Sequence, residues 1–119
     1  ALDHARRLEP DLVVVTGDFV TWRGAQLPEL ARVLARLPRG RRGTFGVLGN
    51  HDYGEGWAQL DVADGVSRVA REAGVRVLRN EVADVEGLQL CGTGDLWSPE
   101  FRDVGEARVF DPMRDDFRR

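Results

Sequence analysis

The sequence contains no lysine: all 17 of its basic residues are arginine. That bias points to a GC-rich coding sequence before it points to function, although guanidinium groups do suit phosphate contacts. Against 20 acidic residues they leave a net charge of −3, which gives no electrostatic case for nucleic acid or an anionic membrane. Cysteine occurs once, so no internal disulfide can form, and Cys91 sits in the apolar run Leu88–Cys91 as a small hydrophobe rather than a reactive thiol. No signal peptide is recognisable and no apolar run reaches the length needed to span a bilayer. Internal repeats and low-complexity segments are absent too. What remains is a 119-residue chain, 42% hydrophobic, with enough apolar content for a core and the length of one domain or part of one.

Two stretches share one pattern. Leu12 to Thr16 is a continuous apolar run that ends in Gly17-Asp18, and Phe45 to Leu48 is another that ends in Gly49-Asn50-His51-Asp52. A continuous run suits a parallel strand buried on both faces. The glycine that follows lets the backbone approach a neighbour or turn sharply. Asn50, His51 and Asp52 then offer a carbonyl oxygen, an imidazole and a carboxylate, the ligand types of hard and borderline divalent metals. In open α/β sheets ligands collect at the carboxyl ends of the strands, so the two stretches should meet there.

Between and after them the periodicity predicts helices. Leu2, Ala5 and Leu8 end a first helix before Glu9-Pro10-Asp11. Leu27, Leu30, Ala31, Leu34 and Leu37 mark a second over about 25–37, with Pro28 in its first turn and Pro38 and Gly40 stopping it. Leu60, Ala63, Val66, Val69, Ala70 and Ala73 mark a third over about 58–73, closed by Gly74. Val75 to Leu78 reads as a short strand, and Val82–Val85 with Leu88–Cys91 as an antiparallel hairpin turning at Glu86-Gly87. Residues 114–119 read as a frayed charged end, and Arg39, Arg41 and Arg42 as a solvated turn. The order β-α-β-α followed by β-β makes this an α/β chain.

Gly17-Asp18-Phe19-Val20 followed by Gly49-Asn50-His51-Asp52 resembles the calcineurin-like metallophosphoesterase pattern, whose five blocks are Asp-x-His, Gly-Asp, Gly-Asn-His-Asp/Glu, a lone His and Gly-His-x-His. The second and third blocks are present. Asp-x-His occurs nowhere, and the only histidines are His4 and His51, so the others are missing. The resemblance therefore implies a partial calcineurin-like phosphoesterase domain over 1–119, an internal segment of a longer protein without its N- and C-terminal motif blocks, and part of a four-layer α-β-β-α sandwich. The later run from Gly74 to Asp95 is similar to bacterial membrane-associated phosphoesterases related to UDP-diacylglucosamine hydrolases. Protein serine/threonine phosphatases are disfavoured, because they carry Asp-Arg-Gly after the Gly-Asp block and Glu where Asp52 stands.

What the resemblance implies for chemistry is a dinuclear site holding two divalent metal ions (Mn, Fe, Zn or Mg) that hydrolyses phosphomono- or phosphodiesters with metal-activated hydroxide. It assigns Asp18 as the bridging carboxylate and Asn50 as an amide ligand to the second ion. It assigns His51 to the phosphate, as a proton or hydrogen-bond donor, and Asp52 to the orientation of His51. The plain alternatives are a helix-capping aspartate, a turn asparagine, a satisfied loop histidine and an exposed turn aspartate. Asp95 is a candidate for the rim, and Trp22, Tyr53, Trp57 and Trp97 flank the site, to contact substrate or to pack the loops down. The implied substrate is a small-molecule or lipid-linked phosphoester, with membrane association of the parent left open, no nucleic acid, and no localisation fixed. With so few ligands the segment by itself should be inactive. The competing reading is a non-catalytic relative with a degenerate metal site that binds phosphorylated ligands. A Rossmann-like nucleotide domain is excluded by the missing Gly-x-Gly-x-x-Gly after the first strand.

Overall fold

The computed structural model describes residues 2–21 and 26–103. A short helix α1 (Leu2–Arg7) leads into strand β1 (Leu12–Val15), helix α2 (Leu27–Leu34), strand β2 (Gly43–Gly46), two short 3-10 turns (Asn50–Tyr53 and Glu55–Trp57), helix α3 (Leu60–Glu72), strand β3 (Arg76–Val77), hairpin strands β4 (Glu81–Val85) and β5 (Leu88–Gly92), and a terminal helix α4 (Pro99–Asp103). Strands β1, β2 and β3 form a parallel sheet in that spatial order, and β4 and β5 form a separate antiparallel pair. The chain is α/β, as expected.

The apolar periodicity explains the packing. Leu30 and Leu34 of α2 and Ala63, Val66 and Ala70 of α3 meet Leu48, Val75 and Val77 in one core. The alanines of α3 are fully buried and keep that helix close to the sheet. Neighbouring strand residues point to opposite faces, so Val77 joins this core while Leu78 faces the other way. There Leu78 and Phe45 pack with Ala83 of the hairpin in a second cluster. The parallel sheet thus lies between a helical layer and the β4–β5 hairpin.

Boundaries moved where hydrogen-bond register, not side-chain pattern, sets them. The β2 ladder begins at Gly43, opposite Leu12, and ends at Gly46, opposite Val15. The apolar run had placed this strand at Phe45–Leu48. Its last residues stay extended: Val47 N–H donates to the Val15 carbonyl (3.1 Å) and Leu78 N–H to the Gly46 carbonyl (2.8 Å). Helix α2 ends at Leu34 rather than Leu37, where Arg36 and Leu37 tighten to i−3 bonds. The expectation that β1 is buried on both faces needs correction. Val14 is 54% exposed, because nothing among the described residues covers its face of β1. Trp22 of the preceding loop, Ala25 at the start of the expected second helix, and residues 114–119 lie outside the described residues.

Helix α4 was not anticipated, yet its start was written in the chain. Ser98 precedes Pro99, and its Oγ accepts the Phe101 N–H (3.3 Å), an N-cap followed by proline at the first helical position. The arginine-rich turn lies at the opposite end of the strands from Gly17 and Gly49. It is solvated, with Arg41 on Asp11 at 3.1 Å and Arg42 on Glu86.

Candidate functional site

The carboxyl ends of β1 and β2 meet through two glycines. A Cβ on Gly17 would stand 2.4 Å from the Gly49 nitrogen, and a Cβ on Gly49 would stand 2.2 Å from Asp18 Oδ1. Both distances lie inside van der Waals contact, so only glycine lets the two loops approach this closely. Gly17 and Asp18 both turn with positive φ, 92° and 55°. For aspartate that left-handed conformation is uncommon but accessible. It turns the chain out of β1 and sets the Asp18 carboxylate, itself half exposed, against the β2 loop.

The β2 loop answers with a one-turn 3-10 helix over Asn50–Tyr53. His51 N–H donates to Asp18 Oδ1 (3.3 Å), and His51 Nδ1 lies 3.7 Å from Asp18 Oδ2. The structure therefore brings Asp18, Asn50 and His51 to one place, at the meeting point of two strand ends.

Asp52 points away from solvent. It is fully buried. Its Oδ1 accepts the Val20 N–H (3.0 Å) and its Oδ2 accepts the Gly49 N–H (2.9 Å). One carboxylate thus ties the β1 loop to the β2 loop. Burial pushes its pKa above the usual carboxylate range, against the pull of the Gly49 and Val20 amides. Where the sequence suggested an orienting partner for His51, the structure gives Asp52 two backbone donors, and Asp18 is the carboxylate beside the His51 ring. Nothing in the sequence alone distinguished a buried latch from a turn aspartate.

The flanking residues divide. Tyr53 is completely buried and belongs to the core. Trp57 and Trp97 stack on each other with ring centroids 6.3 Å apart at a 49° tilt, so they pack one loop onto the other while staying partly exposed. Asp95 is used in a turn: its Oδ1 accepts the Trp97 N–H (2.9 Å) and its carbonyl accepts the Ser98 hydroxyl (2.8 Å). Sequence reasoning missed a polar cluster behind the site, in which Tyr53, Glu100, Arg79 and Asp64 join in series. Charged residues far apart in sequence carry no pairing signal.

As a donor set for a divalent cation, the site is right in kind. The Asp18 carboxylate lies where Gly49 leaves room for it, beside the turn that begins at Asn50. It is small in number: among the described residues no group of three His, Cys, Asp or Glu is placed to hold a metal.

Residues 1–108 match the calcineurin-like phosphoesterase family. A protein of Aquifex aeolicus (strain VF5), described as an uncharacterized metallophosphoesterase, is 41% identical over 93 residues, which are 75% of this chain and 32% of that protein. The chain therefore spans about a third of that relative's length. No solved structure matches.

Proposed function

The chain belongs to the calcineurin-like phosphoesterase family, and we propose that it is the segment of a dinuclear metal-dependent phosphoesterase that supplies one bridging carboxylate, one amide ligand and the group that meets the leaving oxygen. The observation that carries this is the convergence of Asp18, Asn50 and His51 at two glycine-lined strand ends. The family is metal-dependent, and metal ions supply phosphate charge neutralisation and a nucleophile at neutral pH. Asp18 and Asn50 would hold them, together with ligands contributed from elsewhere in a longer protein.

The roles of this chain's residues follow from their positions. Asp18 carries a carboxylate with two oxygens at the tip of a rigid strand, able to face two cations. Asn50 opens the 3-10 turn, and its neutral oxygen adds a ligand without adding charge. His51 follows Asn50 in the same turn and can face the phosphate while Asn50 faces the cations. A phosphoester's leaving alkoxide is poor, and a positioned proton donor typically contributes about 10²–10⁴-fold. Asp52 holds the β1 and β2 loops in fixed relation, so the separation of Asp18 from Asn50 does not drift. The substrate class is a small-molecule phosphomono- or phosphodiester, with a lipid-linked ester the narrower form suggested by the sequence.

The test is metal-dependent hydrolysis of bis-p-nitrophenyl phosphate. The full-length protein should turn it over with added Mn²⁺, and this 119-residue segment alone should not. Turnover by the isolated segment, or none by the full-length protein with any divalent metal, would overturn the assignment. The latter result would favour a relative that binds phosphorylated ligands without cleaving them.

A further inference from the structure

Behind the site lies a polar chain that the roles above do not use. The hydroxyl of fully buried Tyr53 donates to Glu100 Oε2 at 2.5 Å. The other oxygen of Glu100 meets Arg79 Nη2 at 2.5 Å, and Arg79 Nε lies 3.1 Å from both carboxylate oxygens. Arg79 Nη1 reaches on to Asp64 of α3 at 2.7 Å. Only 16% of the Arg79 side chain and 22% of the Glu100 side chain remain exposed, so screening by solvent is limited. Fork-on-carboxylate pairing of this kind fixes direction as well as distance.

The segment that delivers Glu100 is itself tied down. Gly94 N–H donates to Asn80 Oδ1 (2.7 Å), and Ser98, fully buried, caps α4 through the Phe101 N–H. Three separate parts of the chain are therefore linked in series to one phenol of the β2 loop: α4 directly, and through it the β3–β4 turn and α3.

That phenol stands in the same 3-10 turn as Asn50 and His51. Asp52 N–H bonds the Gly49 carbonyl and Gly54 N–H bonds the His51 carbonyl, so the turn moves as a unit. The Asp52 carboxylate holds it at one end. A second anchor removes most of the pivoting that a single anchor leaves, and Tyr53 provides it.

We propose that Tyr53, Glu100 and Arg79 are positioning residues for the site, a buried brace that fixes the orientation of the Asn50–His51 turn from behind. The proposal deepens the metallophosphoesterase reading, since it concerns how Asn50 is aimed. It makes residues 94–100 part of the working site although none of them contacts Asp18, Asn50 or His51 through a described hydrogen bond.

The experiment uses the full-length protein and two near-isosteric variants, Tyr53→Phe and Glu100→Gln. Hydrogen exchange is followed in peptides covering residues 46–57 and, as a control, α2. Mn²⁺ affinity is measured in parallel, with Leu34→Val as a core variant that lowers stability without touching the brace. Loss of one charge-assisted hydrogen bond should raise exchange in 46–57 about tenfold with α2 unchanged. It should weaken Mn²⁺ binding roughly three- to tenfold in both variants and not in Leu34→Val. Unchanged exchange in 46–57, an increase spread evenly over the chain, or Mn²⁺ affinity equal to wild type would each overturn the brace. A wild-type protein that binds no Mn²⁺ would overturn the metal reading of Asp18 and Asn50 instead, and the exchange comparison would still decide whether Tyr53 holds the turn.

Discussion

Replacing Asp52 with asparagine changes a single atom type in a place where two backbone donors point at one carboxylate. In the native arrangement Val20 N–H and Gly49 N–H each meet an anionic oxygen, at 3.0 and 2.9 Å. Hydrogen bonds to charged groups contribute about 1.5–3 kcal/mol each. Asparagine has one oxygen and one NH₂, so whichever way it flips, an N–H donor faces an NH₂ donor. One buried backbone N–H then loses its partner, at about 1–3 kcal/mol. Acting the other way, the amide avoids burying a charge, the same desolvation that pushes the Asp52 pKa upward. Weighing these, the expected net loss is on the order of 2 kcal/mol. For a domain of 150–250 residues that corresponds to a fall in Tm of roughly 4–8 °C. Urea and thermal unfolding of the full-length protein, with Asp52→Asn beside wild type, make the measurement. Hydrogen exchange should show the loss concentrated at Val20 and Gly49, the two amides left in competition for one oxygen. An Asp52→Asn protein as stable as wild type, or more so, would refute the reasoning. It would mean that the cost of the buried charge exceeds what the two amides return.

Four further outcomes are expected. Asp18→Asn in the full-length protein should lower metal content and activity together, because the bridging charge is removed; elemental analysis finding two metals in an inactive variant would instead make Asp18 catalytic without being a ligand. His51→Gln should keep both metals and lose far more activity on an alkyl phosphodiester than on a p-nitrophenyl ester, whose leaving group needs little protonation; equal losses would indicate stabilisation of phosphate charge by an imidazolium, and loss of metal would make His51 a ligand. Gly49→Ala should destabilise by about 1–3 kcal/mol and weaken metal binding, since its Cβ would stand 2.2 Å from Asp18 Oδ1; a variant with native metal affinity and Tm would show that Asp18 can move freely. Burial and the Glu100 hydrogen bond raise the Tyr53 pKa above the ordinary value of 10.0, so the stability that the neutral phenol contributes is complete below pH 10 and is lost as pH rises through the higher folded value; the absorbance difference between wild type and Tyr53→Phe at 295 nm should therefore show less tyrosinate above pH 10 than a free phenol gives, and a normal titration near pH 10 would place Tyr53 outside the core.

The elements that were legible are those whose cause is local. Helix α3 followed from apolar residues at three- and four-residue spacing, and its glycine stop from the need for a left-handed residue after Ala73, where Gly74 has φ of 89°. The β4–β5 hairpin followed from two apolar runs and the Glu86-Gly87 turn, both residues of which take positive φ. The ladder of β2 was read two residues late, because a parallel strand's limits are set by where its neighbours have free carbonyls and N–H groups, and β1 leaves the ladder at the Gly17-Asp18 turn. Burial of β1 was overread for a related reason. An apolar run reports what a strand is able to bury, while the covering has to come from elsewhere, and among the described residues nothing covers Val14.

The site divides along the same line, and the division is physically informative. Asp18, Asn50 and His51 were legible because each occupies a loop position dictated by the strand before it, and strand ends in a parallel sheet converge by topology. The glycines that admit them were legible as glycines, but their reason is a distance: the space a Cβ at 49 would take is already filled by the Asp18 carboxylate. Asp52 was read as the partner that orients His51, with an exposed turn aspartate as the alternative, and Tyr53 as a loop aromatic that contacts substrate or packs the loops down; neither reading reached full burial, because a loop motif carries no signal of what covers it. Both are fully buried. What buries them is non-local, the Val20 amide for one and Glu100 for the other. Within the four-residue turn Asp52 and Tyr53 are buried on two independent anchors, while Asn50 and His51, the candidate site residues, stay partly exposed. That is the physical sense in which a short polar motif specifies its own loop: the residues that hold it in place are written into the same few positions as the candidate site residues.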